Sequence, residues 1–285
     1  MKREAYLADT EVQSFLSWAR PFVTGDRALL HEWSGRSATF RCRSLLDAYH
    51  AFKWRFRVQL PGEPSRSSGW TLDQNFAVLG RLSELLRQAA HRGDAQAFVA
   101  ATNAVFEWGG AGVRRNRFTL ATLEPDALTV VLADAARLDP ARADLSQLGE
   151  VSYLNSGFSK IHALIIDDYP MYDSRVACAL ASMVRRYCEE RGHATVPQQL
   201  ALSVPPSQGR ITRNPSTETL RFRDMRWRDA KQYATSNVIA AWLLGALAVH
   251  GEFGKLDLRQ RLSALQSAMF MLGYRPVVGD ASFPD

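Results

Sequence analysis

Apolar residues recur at three- and four-residue spacing along most of this chain. The repeat predicts helices over 44–57, 72–91, 94–107, 125–138, 158–166, 173–190, 227–250 and 257–272. Asp94, directly after Gly93, is placed to cap the third of these, and Pro125 suits the first turn of the fourth. Two short stretches, 38–43 and 127–132, alternate instead and also fit strands. Breakers separate the runs. PGEPSRSSG at 61–69 reads as a surface loop, WGGAG at 108–112 as a helix stop, and SVPPSQGRITRNPSTET at 203–219 as a long polar connection. The stretch 141–153 has room for one more short helix. The predicted fold is mostly all-α, with no internal repeat.

A length of 285 residues implies one large unit or two intimate lobes, divided here at about residue 120. No apolar run reaches the roughly 18–20 residues of a membrane span. The start, MKREAYLADTEV, lacks the apolar core of a signal peptide, which points to the cytoplasm. Cys42, Cys178 and Cys188 are scattered and odd in number, so they offer neither a disulfide framework nor a four-cysteine metal site. Cys178 and Cys188 fall at helical positions and read as small core residues.

The formal charge of +6 favours a polyanionic partner. Lysine occurs only at positions 2, 53, 160, 231 and 255; every other basic side chain is arginine. Arginine stays protonated at any usable pH, whereas a desolvated lysine does not. A lysine at a helix start in such a chain therefore draws attention to its amine.

That lysine is Lys160, within LNSGFSKIHALIIDDYPMYDSRV at 154–176. A turn on Asn155, Ser156 and Gly157 leads into an apolar helix with Lys160 in its first turn. After the polar break at 167–170, Asp173 opens the next helix. The helix start presents backbone N–H groups that fit a phosphate oxygen, and Gly157 tolerates backbone conformations that other residues resist. Breaking a glycosidic bond develops positive charge on the sugar, which a carboxylate stabilises. An amine of lowered pKa can attack the anomeric carbon, expel the base and leave a Schiff base; a water held by the same carboxylate is the other possible nucleophile.

The segment resembles the hairpin of the helix-hairpin-helix DNA glycosylases, above all their 8-oxoguanine branch. Leu154 and Lys160 stand at the ends of a Leu-Pro-Gly-Val-Gly-x-Lys type motif, and 172–176 matches a Val-Asp-x-x-Val type helix start. It also looks close to bacterial proteins with an 8-oxoguanine glycosylase fold, some of them linked to defence against phages with modified DNA. The chain departs from the pattern in carrying one glycine in the hairpin where the family has two. Its thirteen-position step from Lys160 to Asp173 is also shorter than the family's. The resemblance implies a two-lobed glycosylase-like fold, Lys160 as nucleophile, Asp173 as the essential carboxylate and duplex DNA with a modified or damaged base as partner; no cofactor is expected, and the sequence does not fix the oligomeric state, for which a monomer is the expectation. The resemblance leaves a water-using glycosylase and a non-catalytic DNA-binding subunit as alternatives.

The DNA contacts expected around this hairpin are Asn155, Ser156, Gly157, Ser159 and Arg175, with Arg210, Arg213, Arg221 and Arg223 from the most basic stretch and Arg114 and Arg115 from a second cluster. Phe222 and Trp227 lie among the former, where an aromatic ring can stack on a base. Trp108, Trp227 and Asn237 are the candidates for a base pocket. His162, two residues beyond Lys160, faces elsewhere and reads as a packing histidine, and Trp242 reads as core. The chain has no HExxH, CxxC or GxxxxGK[ST] motif, which takes weight from metal hydrolysis and nucleotide hydrolysis.

Overall fold

The computed structural model describes residues 1–34, 39–110, 113–207, 212–226 and 229–276. Among these, the protein is mostly helical, with two small antiparallel hairpins. The first helices are α1 (Arg3–Leu7) and α2 (Thr10–Thr24). Asp9 caps α2 by accepting from Glu11 N at 2.9 Å and Val12 N at 3.3 Å. Neither helix is among the predicted elements, although Val12, Phe15, Leu16, Ala19, Phe22 and Val23 are buried at helical spacing. Pro21 inside α2 hides the run.

Next come β1 (His31–Ser34) and β2 (Thr39–Cys42), paired antiparallel, then α3 (Leu45–His50), β3 (Phe56–Val58) and β4 (Ser67–Gly69). The strand reading of 38–43 thus holds for 39–42. The helix predicted over 44–57 stops at His50. Beyond it, Phe52, Trp54, Phe56 and Val58 recur every second residue, the period of extended chain, while Lys53, Arg55 and Arg57 point outward. β4 lies in the segment read as a surface loop and pairs with β3.

Helices α4 (Leu72–Arg92), α5 (Ala95–Gly109), α6 (Val113–Leu123) and α7 (Ala127–Leu138) follow. Thr71 and Gln74 cap α4 reciprocally, and Asp94 caps α5 through Ala97 N at 2.9 Å. The arginine cluster at 114–117 is itself helical, as is 127–132, and Pro125 lies ahead of α7 rather than inside it. The chain then forms α8 (Phe158–Ile165), α9 (Ser174–Arg191), α10 (Ala230–Ala248) and α11 (Leu258–Leu272).

Helices α9 and α10 are buried on nearly all sides, which makes them the centre of the molecule. α2 packs on both, α11 packs on α3, α9 and α10, and α4 packs on α5 and α8. Elements from both ends of the chain therefore pack against α9. Trp242 is fully buried and donates to Pro140 O at 2.8 Å, and all three cysteines are buried and free. No helix among the described residues is long and apolar enough to cross a membrane.

Candidate functional site

The turn before α8 is built by Asn155. Its Oδ1 accepts from Gly157 N at 2.7 Å and Phe158 N at 3.1 Å, and its carbonyl accepts from Ser159 N at 2.8 Å. Lys160 N donates to Gly157 O at 3.1 Å. The N–H groups at 157–160, expected to be open to a phosphate, are thus occupied within the turn. Gly157 has an ordinary φ of −77°. Glycine is required there for closeness: a Cβ would stand 2.0 Å from Asn116 Nδ2. Asn116 Oδ1 in turn accepts from Asn155 Nδ2 at 3.1 Å, so α6 braces the turn.

Ser159 and Asn237, expected at DNA and in a base pocket, are both fully buried and bonded to each other at 2.8 Å. Ser159 Oγ also accepts from Tyr172 N at 2.7 Å, and Asn237 Nδ2 donates to Pro170 O at 3.0 Å. They tie α8, the 166–173 link and α10 together. Asp168 in that link has φ of 55°, a left-handed conformation that aspartate tolerates, and it helps turn the short link back toward α9. Ser156 stays at the surface of the cleft and meets Tyr233 Oη at 2.8 Å, while Tyr233 Oη donates to Tyr172 O.

Lys160 is 9% exposed, and its Nζ donates to Ser156 O at 2.8 Å. Its alkyl stem lies across Gly109, where an added Cβ would approach Lys160 Cδ to 3.0 Å. Burial pushes its pKa down; Asp173 pulls it up, and Arg175 pushes it further down. Asp173 caps α9, accepting from Arg175 N at 2.9 Å and Val176 N at 3.1 Å. Among the described residues Lys160 forms no ion pair. The amine and the carboxylate share one cleft, close enough to sense each other's charge but not locked together.

That cleft has a volume of about 1060 Å³ and is lined by Lys160, Asp173, Asn155, Ser156 and Gly157 of the hairpin region. Its aromatic wall comes from distant parts of the chain: Trp54, Trp108, Phe270 and Tyr274. Trp108 Nε1 donates to Asn75 Oδ1 at 3.0 Å, and Trp54 Nε1 to Trp108 O at 2.9 Å, which fixes both indoles. The guanidinium of Arg175 lies 4.3 Å from the Phe270 ring, 5.0 Å from Tyr274 and 5.7 Å from Trp54. Arg213 is 8% exposed and donates to Ser174 Oγ at 2.9 Å and to Tyr274 O at 3.2 Å. Of these groups, Trp54, Phe270 and Tyr274 escaped the sequence analysis. The alternation at 52–58 was the available signal for Trp54; nothing local marked the other two.

The structure brings Lys160, Asp173, Arg175, Arg213, Arg115 and Trp108 to one cleft. Arg114, Arg221 and Arg223 are exposed elsewhere, and Phe222 is buried, unavailable for stacking. Arg210 and Trp227 lie outside the described residues. His162 is fully buried, and burial pushes its pKa down to about 3; the Tyr153 backbone opposes this weakly, from outside hydrogen-bond geometry. It is a neutral core residue.

No family model, curated protein or solved structure matches this chain.

Proposed function

We propose that the chain is a DNA N-glycosylase of two-lobed, helix-hairpin-helix type, acting on a modified or damaged base. The observation that carries this reading is a buried amine, without an ion pair among the described residues, beside a separate carboxylate in one cleft. A Lys–Asp ion pair would hold the amine protonated; its absence here, with burial, favours the neutral nucleophile. In the proposed reaction Lys160 Nζ bonds to C1′ of a flipped nucleotide. The glycosidic bond breaks and its electron pair leaves with the base, which takes up one proton of the attached amine; the C1′–O4′ bond then opens, the second proton passes to O4′, and an imine remains. Asp173 stabilises the positive charge on the sugar. Trp108 and Trp54 offer faces for the flipped base.

A cleft of about 1060 Å³ has room for a base with a large substituent. That supports excision of bulky modified bases, including those of phage DNA, as readily as oxidised ones. The bond from Lys160 Nζ to Ser156 O favours a second reading, in which water is the nucleophile and Lys160 holds the turn. The test is mass spectrometry of bases released from a panel of modified duplexes by wild type and Asp173→Asn. Release that disappears in the variant supports the reading. No release from any duplex, or undiminished release by Asp173→Asn, rejects it.

A further inference from the structure

The inner end of the cleft holds more positive charge than its structure needs. Arg87, on the cleft's outer rim, shows what a structural arginine looks like here: it pairs with Asp167 at 2.8 Å and donates to Leu164 O at 3.0 Å. Arg175 and Arg213 are different. Among the described residues neither forms an ion pair. Arg213, nine-tenths buried, uses two N–H groups, on Ser174 Oγ and Tyr274 O. Arg175 is held by ring faces, which fix its plane without occupying its N–H groups. The two guanidiniums repel each other: besides burial, Arg213 pushes the pKa of Arg175 down, against the pull of Asp173. Asp173 forms no ion pair with either one among the described residues; its Oδ1 accepts from the N–H groups of Arg175 and Val176, and its charge acts on Arg175 from a distance.

A buried cation and a half-buried one that repel each other are costly to hold together unless an anion joins them. Both are planar forks with free N–H groups, the geometry that receives phosphate oxygens. We propose that Arg175 and Arg213, with the Ser174 hydroxyl between them, form a phosphate subsite that seats one backbone phosphodiester of the strand carrying the target nucleotide. This deepens the glycosylase reading and rests on it for the identity of the strand. The subsite replaces the hairpin backbone, whose N–H groups are already occupied, as the anchor beside Lys160.

The experiment has two arms, run on wild type, Arg213→Gln, Arg175→Gln and the exposed-site control Arg142→Gln, a residue outside the cleft. In the first, inorganic phosphate is titrated against chloride at constant ionic strength and followed by calorimetry, with no DNA present. Wild type and Arg142→Gln bind phosphate, and each cleft variant binds it about tenfold more weakly. In the second, a neutral methylphosphonate replaces each backbone phosphate in turn in a bound duplex. One position weakens wild type by about tenfold and weakens Arg213→Gln no further. Absence of phosphate binding by wild type, equal binding by all four proteins, or methylphosphonate losses that multiply with Arg213→Gln at every position overturns the subsite. Should Arg213→Gln fail to fold, Arg175→Gln decides, because its side chain makes no hydrogen bond that the fold needs. Phosphate binding that depends on the arginines, without any base release, would reject the glycosylase reading and leave the subsite standing. Base release with no arginine-dependent phosphate effect would reject the subsite alone.

Discussion

Replacing Lys160 with methionine makes the protein more stable relative to wild type as the pH falls. The sign follows from the buried amine. Its folded pKa lies below the ordinary lysine value of 10.5, with burial as the largest cause. Above 10.5 the amine is neutral in both states and contributes no pH dependence. As the pH falls through that value the unfolded chain takes up a proton that the folded chain does not, so wild type loses stability. The loss continues until the folded pKa is reached and is complete below it. Methionine fills a similar volume and takes up no proton. Within the window, the difference between the two proteins changes by about 1.4 kcal/mol per pH unit. For a chain of this size, with a urea slope of about 3 kcal/mol per molar, that is about 0.5 M in midpoint per pH unit. The bond from Nζ to Ser156 O adds a constant offset without a slope. Urea midpoints of both proteins at steps from pH 7 to pH 10.5 measure it. A difference that stays flat across the series would show an amine charged in the fold, and the case for a neutral nucleophile would collapse.

Other perturbations probe the frame around the amine. Gly157→Ala forces a Cβ into Asn116, 2.0 Å from Nδ2; it costs about 1–3 kcal/mol in urea unfolding, and Asn116→Ala in the same chain recovers most of that. Asn237→Ala leaves Ser159 Oγ and Pro170 O short of a partner. The expected loss is about 2–4 kcal/mol of stability with duplex affinity unchanged, and a loss of affinity at full stability would place Asn237 at the ligand instead. Burial pushes the thiols of Cys42, Cys178 and Cys188 up to about 12, 12 and 11. Iodoacetamide at pH 8 should leave all three unmodified in the native protein and alkylate all three in urea, read by intact mass.

The helical pattern carried most of the fold because α4, α5 and α11 bury apolar positions at the spacing a helix imposes. It misled at 52–58, where bulky residues alternate and arginine and lysine fill the gaps, so one short window fits both periods. It passed over α2, whose proline breaks the apparent run while sitting within a helix held by tertiary packing. At the site, the hairpin was legible since Asn155, Lys160 and Asp173 act through neighbours in sequence. Of the aromatic wall only Trp108 was, for Trp54, Phe270 and Tyr274 join it only because α11 closes on α3 and α9. Ser159 and Asn237 showed the opposite limit. Polar residues beside a catalytic candidate invite a binding role, but only the fold reveals that their hydrogen bonds already satisfy each other. Gly157 was legible as a required glycine, though for the wrong cause: the demand comes from Asn116, forty-one positions upstream.

Borohydride trapping is the most direct test of the amine as nucleophile. Wild type is incubated with a modified duplex from which it releases base, sodium borohydride is added, and the adduct is digested and sequenced by mass spectrometry. A covalent DNA adduct is expected on the peptide containing Lys160, absent in Lys160→Gln. Base release that continues with no adduct, or an adduct on another residue, contradicts it.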